Sequence, residues 1–130
     1  AAPPFAEIAG PPSNNVYLPN NFSFSFDEPQ LKEVYEAFIQ KYKEEPINKV
    51  FLGYDTMLVI AQGIKNAGEA NPIKIREGVE KVKGLQGTTG VISISPKTHR
   101  PYGLSMVIHK IVDGKYIPLE RYLTKEERTQ

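Results

Sequence analysis

The chain has 130 residues, a length that corresponds to one domain. Hydrophobic residues make up 40% of it and charged residues 24%, which is the composition of a globular protein. Its 16 basic and 15 acidic side chains leave a net charge of +1, so charge gives no reason to expect nucleic acid or an anionic membrane as a partner. The absence of cysteine excludes disulfides, thiol catalysis and cysteine-based zinc sites.

The start of the chain predicts a loop or linker. Residues 1–15, which begin AAPPFAEIAGPP, are rich in Pro, Ala, Gly and Asn and show no hydrophobic period. They contain no initiator Met and no signal-peptide pattern, so we expect a processed or truncated product. No apolar run anywhere approaches the ~18 residues that a membrane-spanning helix requires.

Two short extended segments follow. Residues 16–18 predict a strand that ends at Pro19. Residues 22–26, FSFSF, alternate strictly, which fits either a strand or an extended loop whose phenyl rings enter a core. The aromatic cluster of this region comprises Tyr17, Phe22, Phe24 and Phe26. Because it contains no Lys or Arg, core or cleft packing is favoured over base stacking.

A first helix is predicted next, because apolar residues recur at helical spacing. This stripe comprises Leu31, Val34, Tyr35, Phe38, Ile39 and Tyr42. Asp27 is the expected N-cap, Gln30 completes a capping box, and Pro46 ends the helix.

A second helix is predicted to begin near Asn48. Its apolar stripe comprises Val50, Tyr54, Met57, Leu58, Ala61 and Ile64, with Val59 and Ile60 beside it. This wide apolar surface predicts a largely buried helix. Gly53 and Gly63 lie inside it, which is tolerated where a neighbouring backbone comes close. Gly68 is the expected C-terminal stop.

A third helix starts at Asn71 and Pro72, an N-cap followed by a first-turn proline. Its narrow stripe comprises Ile75, Val79 and Val82, and Gly84 closes it. The next segment, GLQGTTG at residues 84–90, is rich in glycine, as phosphate-binding loops are. It follows a helix and precedes a strand, the reverse of such loops, so we interpret it as a helix stop and tight turn.

The chain then predicts antiparallel strands. Residues 91–95 form a short strand and residues 104–112 a longer one. Asp113–Gly114 is a strong two-residue hairpin turn, so residues 115–119 form the return strand. Pro118 predicts that this strand lies at a sheet edge.

Few residues of the sequence indicate a catalytic, metal-binding or ligand-binding site. His99 and His109 are interpreted as a solvated turn residue and an edge-strand residue, and they lack the acidic neighbours of a metal site. Asp55 stands inside an apolar helix. It is either a ligand contact or buried hydrogen-bond anchor, or a residue of the polar helix side together with Gln62; we favour the polar side. The sequence predicts no catalytic residues, no metal site and no cofactor.

The order of these parts resembles the C-terminal part of type I periplasmic solute-binding proteins, especially the leucine/isoleucine/valine-binding-protein-like receptors of ABC transporters. The similar pieces are VYLPNNFSFSFDEPQLKEVYEAFIQKYKEEP, the Gly53-Tyr54-Asp55 helix start, the Ala67-Gly68 stop, the ANP helix start, and a hairpin of pattern GxTGxIxxxPxxxR. The family commonly has Asp and Gly in that hairpin turn. This chain has Pro96, Lys97, Thr98 and His99 there, which alters the turn and not the resemblance.

The resemblance implies an α/β architecture: the C-terminal part of a two-lobed periplasmic-binding-protein type I fold, with three helices followed by a short strand and a C-terminal β-hairpin. Residues 1–15 would be a linker or the end of a lobe segment, residues 16–119 the C-terminal portion of the solute-binding fold, and residues 120–130 a polar tail. Family members are roughly two and a half times as long. Residues 20–100 would belong to the N-terminal lobe.

The resemblance also implies a function: capture of a small solute, most often a branched-chain or other amino acid, between two lobes that close on it. By matching position, Phe51 and Tyr54 are candidates for the side-chain end of the ligand site, and Asn20 and Asn21 lie by the hinge. Core packing for the aromatic pair and a plain turn role for the asparagines remain open. No cofactor is implied.

Implied partners are the solute, the membrane subunits of an ABC transporter, and either the missing N-terminal part or a second copy, with no nucleic acid. The implied location is periplasmic or extracellular and membrane-associated. Three alternatives remain: a ligand-sensing regulatory domain of the same fold, a non-binding fragment that acts only as a structural part, and a small adaptor. The chain shows no nucleophile elbow or triad order, so we expect no enzyme.

Overall fold

A computed structural model describes residues 4–21 and 29–123. Its helices are α1 (Pro4–Ala9), α2 (Pro29–Tyr42), α3 (Asn48–Ala67) and α4 (Pro72–Glu80), and a 3-10 turn spans Pro11–Ser13. Its strands are β1 (Tyr17–Asn20), β2 (Leu85–Gln86), β3 (Gly90–Ile94), β4 (Pro101–Val112) and β5 (Lys115–Leu123). The predicted Asp27 cap and the FSFSF segment lie outside the described residues.

The three predicted helices are present, and local signals explain their ends. The Asn71 side chain accepts hydrogen bonds from the amides of Ile73 and Lys74 and thereby caps α4. Gly68 ends α3 in the left-handed conformation at φ 73°, as predicted. Helix α4 ends at Glu80, four residues before the predicted Gly84, and its last turn continues through a Val82 to Val79 backbone bond.

Strand β4 organises the sheet. It pairs antiparallel with β1, β3 and β5, and β2 extends the sheet beyond β3. The β4–β5 hairpin turns at Asp113 and Gly114, whose φ angles of 48° and 76° both lie in the left-handed region. The predicted hairpin is therefore confirmed. Among the described strands β5 pairs with β4 alone, as expected of a strand that contains Pro118.

The described core includes two small hydrophobic clusters, and Ala6, Val107 and Ile111 are buried outside them. In the first, Leu31 of α2 packs on Phe51 of α3, with Val34 and Tyr35 at its margin. The second comprises Val82, Ile92 and Ile94, with Val59, Val79, Leu85 and Leu104 packed against it. The first cluster joins α2 to α3, and the second joins α3, the end of α4 and the sheet.

Several predictions from sequence were wrong. Residues Pro4–Ala9 are helical where a loop was expected. Helix α3 is not largely buried: Met57 is 62% exposed and Ile64 46%. A Cβ on Gly53 would meet no atom of the described residues within 4 Å, so no described backbone approaches there, whereas Gly63 does face α4 as expected. The apolar surface of α3 thus exceeds what the described residues cover.

Candidate functional site

A buried carboxylate lies where α3 meets the loop between β2 and β3. Asp55 is 4% exposed. Its Oδ1 accepts hydrogen bonds from the backbone N and Oγ1 of Thr88, at 2.7 and 2.9 Å. Its Oδ2 accepts from the backbone N and Oγ1 of Thr89, at 2.9 and 2.6 Å. Four donors therefore compensate the desolvation of one buried charge.

The local sequence explains why the loop can hold the carboxylate. A Cβ on Gly87 would lie 2.9 Å from the Asp55 carboxyl, so only glycine lets the carboxylate come this close. Gly90 adopts φ 127°, which L-residues rarely do, and this turns the chain into β3. Thr88 and Thr89 then present their amides and hydroxyls to the same side. The loop binds an anion, and that anion is a side chain of the protein itself.

Ser105 of β4 connects this loop to the end of β1. Its hydroxyl lies 3.0 Å from the Thr89 carbonyl oxygen and 3.2 Å from the Asn21 carbonyl oxygen. The Thr88 hydroxyl likewise lies 3.3 Å from the Phe51 carbonyl oxygen. A chain of hydrogen bonds thus runs from α3 through the loop and β4 to the segment after β1.

The structure brings two of the four candidate ligand residues onto this network and leaves two beside it. Phe51 and Asn21 take part through their carbonyl groups. The Phe51 side chain is fully buried against Leu31, whereas Tyr54 is 39% exposed on α3. The Asn20 amide oxygen accepts a hydrogen bond from the Asn21 backbone N at 2.9 Å, so Asn20 orders the turn after β1.

An apolar groove of about 270 Å³ adjoins the network. Its lining residues are Leu52, Asp55, Thr56, Val59, Ile60, Thr89, Ile92, Ile94, Pro101 and Leu104. The polar atoms of Asp55 are engaged by the threonines, so the groove offers mainly apolar contact. Such a surface suits an apolar group.

The interpretation of Asp55 as a residue of the polar helix side was wrong. The carboxylate is buried, and the alternative of a hydrogen-bond anchor is correct. The signal available in the sequence was the pair of adjacent threonines between Gly87 and Gly90, which offers four donors in a tight turn. The sequence could not show that this turn, 33 residues away, lies against α3.

The histidines differ from each other. His99 is exposed in the turn after β3, as predicted, and its Nδ1 lies 3.2 Å from Glu80 Oε1. His109 is only 7% exposed, and it lies on the central strand β4, so its interpretation as an edge-strand residue was wrong. Within the ranges 4–21 and 29–123, no group of three or more acidic or histidine side chains is placed to hold a metal ion.

No protein-family model and no curated protein sequence matches the chain. Solved structures match it over nearly its whole length. A leucine-binding protein from Thermotoga maritima aligns with a TM-score of 0.80 and 25% identity over 95% of this chain and 35% of that chain. A branched-chain amino acid transporter substrate-binding protein from Streptococcus pneumoniae, solved with isoleucine, aligns with a TM-score of 0.76 and 24% identity over 96% of this chain and 35% of that chain.

Another match is a solute-binding protein of an ABC transporter from Rhodopseudomonas palustris, solved with 3,4-dihydroxybenzoic acid, at a TM-score of 0.73 and 22% identity over 88% of this chain and 32% of that chain. The chain therefore spans about a third of the length of the proteins it matches. It has the fold of the C-terminal part of type I periplasmic solute-binding proteins, and the resemblance found in the sequence is confirmed. No helix among the described residues is long and apolar enough to cross a membrane.

Proposed function

We propose that the chain is the C-terminal part of an extracytoplasmic solute-binding receptor of an ABC transporter. The observation that carries this proposal is the alignment with the leucine-binding protein, with a TM-score of 0.80 over 95% of the chain. In this proposal two lobes close about a hinge on an amino acid or a similar small solute. The solute binds the closed form better and shifts the population toward it.

The proposed solute combines a carboxylate with an apolar group. The neighbours were solved with isoleucine in one case and with 3,4-dihydroxybenzoic acid in another, and these ligands share that chemistry. We favour a branched-chain amino acid, because several neighbours are described as leucine-binding or branched-chain amino acid proteins. The proposed receptor needs no cofactor and no nucleic acid.

The proposed ligand residues of this chain are Tyr54, Phe51, Asn20 and Asn21. The exposed part of Tyr54 on α3 supports direct contact with a solute. Because the Phe51 ring is buried against Leu31, Phe51 would support the site from beneath. Asn20 ends β1, the strand that we propose to cross the hinge, and Asn21 follows it; both are half-buried.

The proposed partners are the membrane subunits of the transporter and the remaining part of the receptor, or a second copy of this chain. The proposed location is periplasmic or extracellular, with membrane association through those subunits. The match with about a third of each neighbour supports the need for a further part. Native mass spectrometry of the purified protein would show whether a larger chain and a small solute accompany it.

A titration tests the proposal directly. The ¹⁵N-labelled chain is titrated with L-leucine, L-isoleucine and benzoate while its amide resonances are followed by NMR. We expect saturable shifts with the amino acids and an affinity about tenfold weaker in Tyr54→Ala, because aromatic burial against the solute is lost. Tyr42→Ala is the matched control, since Tyr42 is also exposed on a helix. Equal affinities in the two variants would remove Tyr54 from the proposed site.

The burial of Phe51 favours a second candidate function. A fully buried ring is not available to a solute, so this chain could serve as a structural part whose partner supplies the ligand contacts. In that case Tyr54→Ala and Tyr42→Ala leave the affinity equally unchanged when the titration is repeated with the partner present. The two candidates are therefore separated by the same titration.

A further inference from the structure

We propose that Asp55 is a positioning residue: it holds the start of α3, with Phe51 and Tyr54, in a fixed relation to Ser105 and the end of β1. The geometry stands on its own, but the ligand that Phe51 and Tyr54 would serve rests on the proposed function. Asp55 itself touches no solute in this proposal. It acts through Thr88, Thr89 and Ser105.

The carboxylate of Asp55 is held in one orientation. Each of its two oxygens accepts two hydrogen bonds, Oδ1 from Thr88 and Oδ2 from Thr89. Because the two oxygens bind different residues, the carboxylate cannot rotate without breaking bonds on both sides. Short charge-assisted bonds of this kind are stronger than neutral ones. The loop is therefore tied to α3 at a fixed angle.

Ser105 of β4 connects the threonine loop to the end of β1. The Thr89 carbonyl oxygen and the Asn21 carbonyl oxygen lie 3.0 and 3.2 Å from the same Ser105 hydroxyl. A hydroxyl has one proton, so Ser105 shares it between the two carbonyls. Ser105 is 4% exposed, and water does not compete for this proton. A displacement of Thr89 therefore changes the hydrogen bond that Ser105 donates to the Asn21 carbonyl oxygen.

Thr88 connects the loop to a second residue of α3. The Thr88 hydroxyl, already bonded to Asp55, also lies 3.3 Å from the Phe51 carbonyl oxygen. Thr88 and Phe51 are both fully buried. The Thr88 hydroxyl has one proton, which it shares between Asp55 Oδ1 and the Phe51 carbonyl oxygen. This one group therefore links two residues of a single turn of α3, and Tyr54 lies between them.

A double-mutant cycle distinguishes positioning from simple anchoring of the loop. No direct hydrogen bond joins Asp55 to Ser105, so two independent roles would give additive effects of Asp55→Asn and Ser105→Ala on the unfolding equilibrium constant of the full chain. A continuous network gives a double variant whose effect departs from additivity by about twofold or more. The matched control pairs Ser105→Ala with Asp113→Asn, the same chemical change at an exposed hairpin residue.

A spectroscopic readout accompanies the cycle. In Asp55→Asn we expect the amide resonances of Asn21 and Tyr54 to shift beyond those in Asp113→Asn. Thr89→Val, which replaces the hydroxyl with a methyl group of similar size, keeps the test available if Asp55→Asn does not fold. Thr56→Val on the exposed side of α3 is its control. For Thr89→Val the same non-additivity with Ser105→Ala is expected.

Additive effects together with unmoved Asn21 and Tyr54 resonances would overturn the proposal and leave Asp55 as a local anchor. The probe for binding is L-leucine, for which we expect Ser105→Ala to weaken the affinity severalfold. A wild-type chain that binds no L-leucine would count against the proposed function alone. The cycle would still decide the role of Asp55.

Discussion

His109 shows how the surroundings of one residue set the response of the protein to pH. It lies on β4 between Leu18 of β1 and Pro118 of β5, and its Nδ1 is buried with no hydrogen-bond partner among the described residues. Burial lowers the pKa of His109 below its ordinary value of 6.5, and a backbone hydrogen bond at Val107 opposes this only in part. Folding therefore favours the neutral form of His109.

The folded state consequently binds fewer protons than the unfolded state. The contribution of His109 to the free energy of unfolding is fully present above pH 6.5 and falls as the pH drops below that value, until the lowered pKa of the folded state is passed. Urea unfolding should show a lower midpoint at pH 5.5 than at pH 7.5. His109→Gln should lose most of this difference, and His99→Gln, at an exposed histidine, should retain it. An unchanged difference in His109→Gln would contradict the assignment.

At the scale of elements, α3 and α4 pack through glycines. A Cβ on Gly63 would collide with the Val79 side chain and lie 3.2 Å from the Val79 backbone N, and a Cβ on Gly78 would collide with the Gly63 carbonyl oxygen. Asn66 adds a side-chain hydrogen bond to the Gly78 carbonyl at 2.9 Å. The two helices therefore approach as closely as their backbones allow.

Gly63→Ala should destabilise the protein by about 1–3 kcal/mol, because the added methyl group forces the two helices apart. Gly53→Ala is the matched variant on the same helix. Its Cβ would meet nothing within 4 Å in the part of the chain that the structure describes, so the higher helix propensity of alanine should stabilise the protein by up to ~1 kcal/mol. Chemical denaturation of both variants measures the two values. Equal changes in the free energy of unfolding in the two variants would show that the contact between α3 and α4 does not determine the effect of Gly63→Ala.

At the scale of the whole molecule, the sequence predicted the fold by resemblance and most local features, and it missed individual long-range contacts. Helix caps such as Asn71 and the Asp113–Gly114 turn were predicted correctly because their partners lie within a few residues. The burial of Asp55 depends on threonines more than 30 residues away, and the place of His109 depends on β1, which pairs across about 90 residues. Two of the four candidate ligand residues join one network through backbone atoms, which the sequence does not reveal.

One side of α3 exposes apolar residues to solvent. Its exposed apolar residues, here called the α3 stripe, are Met57, Ile60 and Ile64, which are 62%, 39% and 46% exposed. Contiguous apolar surface of this kind favours association. The chain matches only about a third of each neighbour, so a covering partner, whether the remaining part or a second copy, is consistent with the alignments.

We therefore expect the isolated chain to self-associate with rising concentration, as measured by sedimentation equilibrium. Met57→Lys combined with Ile64→Lys should weaken this association by tenfold or more, because roughly 1.4 kcal/mol of lost apolar burial corresponds to a factor of 10. Ile73→Lys on α4, where Ile73 is 63% exposed outside the stripe, should leave it unchanged. A wild-type chain that stays monomeric up to millimolar concentration would show that the α3 stripe does not pair with itself, and the remaining part of a receptor would then be the expected covering partner.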